Sequence, residues 1–330
     1  MDTRGDVIIY TDTEAQGRLA YEAALARLKT IERLLNRYDP ASELSAVNRA
    51  AGGPPVIVSR TTARAVIQAR HLWQTTGGAF NPLVGSLVAL WTQCEAERRL
   101  PTDEQIQSAL LLLNMDEVEV AEGGAADGTS SCRLARAGMQ LDLGGMAKGW
   151  AAQEAVAAIR RCEGVRAALV NLGGDGACWS EPGGGPRGTE EPGASRPPWR
   201  RPWRFGLQDP RTVSRKILAP LEATRGAVVT SGNTYRYYEI DGRRYSHVLN
   251  PRTGRPVENC IASATVVHPD GGTADGLATA CMVLGTGKSI ELLERLPGAE
   301  GLILELSEGR LLPCPTEGFE QYLPSRKLEF

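Results

Sequence analysis

The sequence is short of several residue types that would mark common functions. Aromatics make up only 5% of its 330 residues, and just three residues are histidine. Three dispersed histidines cannot build a histidine metal cluster. The seven cysteines are scattered, odd in number and never spaced as CxxC, which argues against a disulfide framework and a zinc site. Cys281, inside an apolar helical stretch, reads as a small core residue. No surplus of charge exists either: 37 Lys and Arg against 39 Asp and Glu leave a net charge of -2. Such a balance does not suit nucleic acid or an anionic membrane as partner. No run approaches the ~20 apolar residues of a transmembrane segment. The opening MDTRGDVIIY has no basic start and no apolar run, so no secretory signal is expected there. A cytoplasmic chain and one already trimmed fit those residues equally.

What is present is ordinary globular material, 42% apolar and 23% charged, long enough for one large or two medium domains. Thr13–Arg37 has helical periodicity, with Leu19, Ala23, Ala26, Leu28 and Ile31 recurring between charges. Further helices are predicted at Thr61–Thr75, Leu83–Glu97, after Thr102 (which would cap, with Gln105 completing a capping box), Met146–Arg161, Thr273–Leu284 and from Lys288. Strands are predicted at Asp6–Tyr10, 118–120, 140–143, 167–172, Trp203–Leu207, Lys216–Leu221, Ala227–Val229, Tyr235–Ile240, Arg244–Leu249 and Ile261–Val267. Asp241-Gly242 has hairpin-turn chemistry, and a second hairpin is expected around Ser307–Gly309. Residues 181–202 are so rich in Gly, Pro and charge that they read as an exposed flexible insertion without a packed element. Strands cluster rather than alternate with helices, so the fold class is α+β, with mixed, largely antiparallel sheets packed with helices.

Four segments could carry chemistry. In LDLGGMAKGW (141–150) a strand end, Gly144-Gly145 and a helix start would offer free N–H groups to a phosphate, with Lys148 adding charge. An ordinary tight turn with a solvent lysine fits the same residues. In ADGLAT (274–279), Asp275 and Thr279 fall at i and i+4 of a helix, two hard oxygen donors on one face that suit Mg²⁺ beside substrate phosphates. A helix-dipole acid and a back-bonded threonine would look identical. His247, at a strand end before Asn250-Pro251, has the place of a base, a phosphate ligand or a structural histidine. Phe80, in the glycine-rich turn of TTGGAFNPLVGSLVALW (75–91), is by default a core residue.

Taken together and in order, these segments resemble the ApbE family, the FAD:protein FMN transferases. The resemblance runs through YDPASELSAVN (38–48), GAFNPLVGSLVALW (78–91), LDLGGMAKGWAA (141–152), ALVNLGGD (168–175), SGNTYRYYEIDGRRYSHVLNPRTGRP (231–256), ADGLAT (274–279) and VLGTG (283–287). It implies a single ApbE-like unit, or two intertwined subdomains. It further implies that Mg²⁺ binds the FAD pyrophosphate, and that FMN passes through its phosphate to a Thr or Ser hydroxyl of an acceptor flavoprotein, releasing AMP. By position, Asp275 and Thr279 would be metal ligands, joined by backbone oxygens at Ala278 and Gly145. Asp142, Lys148, Ala79, Phe80 and Asn81 would contact FAD. Met1 and Tyr38 match flavin-pocket positions, Leu249 matches one beside the histidine, and His247 would serve the attacking hydroxyl. Departures are Asp2 where Gly is usual, Asn81 and Asn250 where Asp is common, Trp150 for a usual Tyr, and a longer 181–202 insertion. Many relatives carry an export signal or lipid-anchor cysteine, and this sequence shows neither. FAD hydrolysis to FMN and AMP is the second reading, and a flavin-binding protein without turnover the third. A mere holder of FAD has no need for both Asp275 and Thr279.

Overall fold

The structure is a computed structural model that describes residues 3–123, 129–182, 197–214, 216–233, 237–325 and 328. Met1 and most of the 181–202 insertion lie outside the described residues. The chain begins with β1 (Gly5–Thr11), α1 (Glu14–Leu35), α2 (Glu43–Arg49), β2 (Val56–Val58) and α3 (Arg60–Thr75). Next come α4 (Gly85–Ala96), α5 (Asp103–Leu110), β3 (Val118–Ala121), β4 (Ser130–Leu134) and α6 (Ala147–Arg160). Strands then dominate: β5 (Val165–Leu172), β6 (Asp175–Ser180), β7 (Trp203–Gln208), β8 (Ile217–Ala223) and β9 (Arg225–Gly232). After β10 (Tyr237–Ile240), β11 (Arg243–Ser246) and β12 (Ile261–His268), the chain closes with α7 (Gly271–Leu284), α8 (Thr286–Arg295), β13 (Glu300–Ser307) and β14 (Arg310–Pro315). The fold is α+β. No helix of the described residues is long and apolar enough to cross a membrane.

Seven strands form the main sheet in the order β1-β5-β6-β9-β12-β13-β14, every neighbouring pair antiparallel. Both faces are covered, and side-chain alternation decides which residue serves which core. Ala168, Val170, Ala227, Val229, Ala264, Val266 and Ile303 face the helices. Their neighbours Ala167, Leu169, Val228, Val267, Leu302 and Leu304 face a second cluster built from the β7–β8 hairpin around Trp203, Phe205 and Leu221. A three-stranded sheet, β2-β4-β3, stands apart from the main one, yet its Val58 and Leu134 belong to the same apolar cluster as Val170 and Ala278.

Helix starts follow the residues closely. Thr13 and Thr102 both cap their helices in full capping boxes with Gln16 and Gln105. Asp241 and Gly242 both have positive φ, 50° and 71°, as a two-residue hairpin turn between β10 and β11 requires. Three expectations are corrected. Residues 140–143 are not a strand, because their backbone bonds go elsewhere: Leu141 N–H donates to Asn48 Oδ1 at 2.8 Å, and Asp142 N–H to Pro82 O at 2.7 Å. The strand expected over Arg244–Leu249 breaks after Ser246, leaving only a bridge from Leu249 to Pro256. The described end of the insertion does pack: Pro198–Arg200 is a short 3₁₀ turn, and Trp199 lies against the second core cluster.

Helices α6 and α7 cross on one face of the main sheet at very short range. Among α6 residues, Ala151, Ala152 and Ala155 are wholly buried. A Cβ on Gly271 would stand 2.3 Å from Gly149 O, and one on Gly149 would stand 2.2 Å from Gly271 O. Glycine is required at both positions by this approach rather than by φ. Gly271→Ala should therefore push the helices apart, at a cost of about 1–3 kcal/mol for overpacking. The expected result is a fall in Tm of a few degrees by calorimetry; an unchanged Tm would mean the crossing is loose.

Candidate active site

The site collects where α6 begins, where α7 passes beneath it, and where the loop before α6 meets the turn after α3. The loop at 140–146 is held from outside. Asn48 brackets Leu141 by accepting its N–H and donating Nδ2–H to its carbonyl at 3.0 Å. Asp142 Oδ1 accepts the Gly144 N–H at 2.8 Å, and Oδ2 accepts from Arg37 Nη1 at 2.6 Å. Arg37 also donates to Gln140 Oε1 at 3.0 Å and to Gly85 O at 3.3 Å. So fixed, the loop delivers the chain into α6, whose N-cap residue Met146 makes no side-chain cap. The N–H groups of its first turn are engaged within the protein, Ala147 with Leu143 O at 2.9 Å and Gly149 with the Asp275 carboxylate, so the turn offers an anion the positive end of the helix dipole.

Gly145 sits in that loop with its carbonyl against α7. Thr279 Oγ1 donates to Gly145 O at 3.0 Å and lies 3.4 Å from Ser231 Oγ at the end of β9. A Cβ on Gly145 would stand 3.2 Å from Thr279 Oγ1 and 3.3 Å from Phe80 Cε2. Backbone carbonyl, hydroxyl and aromatic edge thus meet at one point. One turn earlier on the same face of α7, Asp275 accepts the Gly149 N–H at 2.9 Å and is only 3% exposed. Ala278, between them, is wholly buried.

A second buried acid, Asp175, opens β6. Its Oδ1 accepts the Thr230 N–H at 3.2 Å, and its Oδ2 is paired with the Lys148 ammonium. Burial raises the pKa of both acids, and Asp175 pushes Asp275 further, up to about 7, against the pull of Lys148. Two acids thus share one lysine, and the local balance favours a further positive charge.

The remaining predicted residues flank this centre. Ala79 and Phe80 are buried, with the Phe80 N–H bonded to Thr76 Oγ1 at 3.0 Å. Asn81 spends its side chain on the turn, donating to Leu113 O at 2.8 Å and accepting from Leu83 N–H at 2.9 Å. Tyr38 is 77% exposed, with the Arg37 guanidinium 5.3 Å from its ring centre. Leu249 is buried, and the turn after it is tied to the turn before Phe80 by Arg252 Nη2, which donates to Gly77 O at 3.0 Å. His247 is half-buried; its neighbour Ser246 donates to Asn233 Oδ1 at 2.7 Å, two residues past the Ser231 beside Thr279. Met1 lies outside the described residues. The structure adds residues to which the sequence reading gave no role: Asp175, Thr230, Ser231 and Arg37. Asp175 closes the ALVNLGGD segment, so its acid after Gly-Gly was visible, but its lysine was not.

The oxygens gathered here fit a small hard cation. The described residues contain no group of three or more His, Cys, Asp and Glu that could hold a metal on its own. Mg²⁺ needs no such cage, because it takes one or two carboxylates and completes its shell with water and substrate phosphates. Asp275, Thr279 Oγ1 and Gly145 O supply that kind of partial shell. Grooves of about 520 and 540 Å³ lie beside Trp203 and beside Trp179, and none of the residues above lines either one.

The profile of the ApbE family matches residues 1–303. The FAD:protein FMN transferase of Treponema pallidum (strain Nichols) is 33% identical over 290 residues, 88% of this chain and 78% of that protein. The FAD:protein FMN transferase of Salmonella typhimurium is 32% identical over 278 residues, 84% of this chain and 74% of that one. The crystal structure of the ApbE protein of Thermotoga maritima superposes with a TM-score of 0.76 at 28% identity, covering 97% of this chain and 98% of that one. The flavin transferase ApbE from Vibrio cholerae gives 0.75 at 26% identity, with 98% and 96% covered.

The buried charge of Asp275 has a pH signature. Folded, its carboxyl holds a proton up to about pH 7; its ordinary value is 3.8. Between those values the folded state binds more protons than the unfolded one, so this group's contribution to stability falls as pH rises and is level above the window. Asp275→Asn removes the charge and keeps an acceptor for Gly149. In chelator, thermal denaturation should show the variant more stable than the parent at pH 8, with the gain shrinking toward pH 5. An equal difference at both pH values would contradict a buried, charge-bearing Asp275.

Proposed function

The chain belongs to the ApbE family and is a transferase; from that premise we propose that it cleaves FAD and attaches FMN covalently to a Thr or Ser hydroxyl of an acceptor flavoprotein. The observation that carries this reading is the meeting of Gly145 O with Thr279 Oγ1, one turn of α7 from Asp275, which itself binds the start of α6 beside Lys148. In the reaction, the acceptor oxygen forms a bond to the FMN phosphorus. The bridging P–O bond of the pyrophosphate breaks, AMP leaves with that oxygen, and the hydroxyl proton passes to a base.

Each part of the chain has a task in that displacement. Asp275, Thr279 and the backbone oxygens of Gly145 and Ala278 would hold Mg²⁺, whose charge offsets that on the phosphate oxygens when bound. Lys148 and the positive end of the α6 dipole hold the pyrophosphate in place, so that little reorganisation is needed as charge shifts to the leaving AMP. Tyr38 offers an exposed aromatic face to the flavin, and Phe80, buried beside Gly145, brings an aromatic edge to the same site. His247 takes the proton of the acceptor hydroxyl and orients its oxygen for in-line attack. Because Asp275 must be ionised to hold a cation, metal affinity should rise with pH through the region of about 7.

The test is incubation of the protein with FAD and Mg²⁺, with and without a candidate acceptor. Covalent flavin is read by in-gel fluorescence and AMP by chromatography. AMP released only with acceptor is the expected outcome; AMP released equally without it would mean hydrolysis. Asp275→Ala should abolish cleavage. His247→Ala should slow transfer by ~10²–10⁴-fold, the usual worth of acid–base assistance, with FAD affinity little changed. Equal loss of binding and transfer would make His247 a pocket residue.

A further inference from the structure

We infer that Asp175 is a positioning residue for this reaction: it anchors the Lys148 ammonium at one point of the site, so that the lysine meets the substrate's phosphate already oriented. The inference rests on the proposed function for the identity of that phosphate. The geometry comes from the sheet. Asp175 is the first residue of β6, paired across a tight hairpin with Leu172. Gly173 and Gly174 make that turn with φ of 66° and 104°. Its side chain is 1% exposed and is oriented from the other side by the Thr230 N–H of β9. Its carboxylate therefore has one position.

Lys148 is different. It stands on the first turn of α6 with a flexible four-carbon stem, and its side chain is 35% exposed. A lysine so placed samples many positions unless something holds its head. An ammonium has three donors, so a bond to Asp175 does not by itself exhaust it. The strand that orients Asp175 through Thr230 also brings Ser231 to Thr279, so β9 sets the lysine anchor and the threonine in one frame. A buried ion pair is in general a poor source of stability, because desolvation offsets the attraction. Stability alone is a weak reason for a carboxylate at this position.

The effect on an anionic substrate can be separated from simple charge. If Asp175 acted only as a buried negative charge, Asp175→Asn would remove a repulsion and tighten binding. As an anchor, its loss should weaken binding and slow transfer, and only while Lys148 is present. The experiment is a double-mutant cycle on the full chain with Asp175→Asn, Lys148→Ala and the pair, read by FAD titration in Mg²⁺ and by transfer rate. The expected result is roughly a tenfold or greater loss of affinity and rate for Asp175→Asn in the parent, the scale of a displaced positioning group, and little further loss in the Lys148→Ala background. Tighter or unchanged FAD binding, or the same loss in both backgrounds, would overturn the inference. Near-UV circular dichroism checks the fold. If Asp175→Asn does not fold, Asp175→Glu keeps the charge while shifting it by one methylene, and the same cycle with it reads the coupling to Lys148. Inorganic pyrophosphate is the second probe. A parent protein that binds pyrophosphate but not FAD would sink the proposed function while still testing Asp175.

Discussion

The backbone N–H of Gly149, donated to the carboxylate of Asp275, is the contact on which the site depends. It exists only because two helices approach closely enough for main chain to touch main chain, with a glycine on each side of the crossing. The same close approach buries Asp275, whose pKa is raised by that burial and by Asp175 although the Gly149 bond itself pulls it down, and it lets Thr279 meet Gly145 one turn along. A bulkier crossing would leave the same residues in the chain and separate the two halves of the site. The glycines here serve proximity, and the alanines of α6 extend the same close fit along the sheet.

Much of the fold was legible because local chemistry agreed with the tertiary outcome. Thr102 with Gln105 and Asp241 with Gly242 each carry a local instruction that packing did not overrule. The stretch at 140–143 misled for a definite reason. Its alternation of apolar and polar residues is strand-like, but the partners of its backbone are an asparagine side chain nearly a hundred residues upstream and Pro82. The short strands β2 and β4 escaped notice because three to five residues carry too little period to be distinguished from loop.

The same division applies to the site. Asp275 and Thr279 were legible as a pair because helical spacing puts them on one face. Lys148 and Asp175, 27 residues apart, and Arg37 and Asp142, 105 apart, become pairs only through the sheet and the loop that bring them together. A sequence states that acids and bases are present. Which acid answers which base is decided by strand order, and here β5-β6-β9 decides it for the lysine. The electrostatics are therefore a product of topology. A net charge near zero for the whole chain coexists with two acids contesting one lysine in the centre.

The pairing of β1 with β5 also has a consequence for the way the molecule comes into being. Gly5 lies opposite Leu172, so the first strand must wait for more than 160 residues of chain before its neighbour exists. During synthesis from the N-terminus, Arg37 and Phe80 emerge well before Asp142, Lys148 and Asp175, and α7 comes later still. The growing chain therefore carries an aromatic turn and an unpaired edge strand long before it has a place for a phosphate. Pairings so distant in sequence are slow to form and leave strand edges open to other chains in the meantime. Binding competence thus arrives nearly last, when α7 slides its glycine against that of α6, and ligand cannot help to organise the earlier steps.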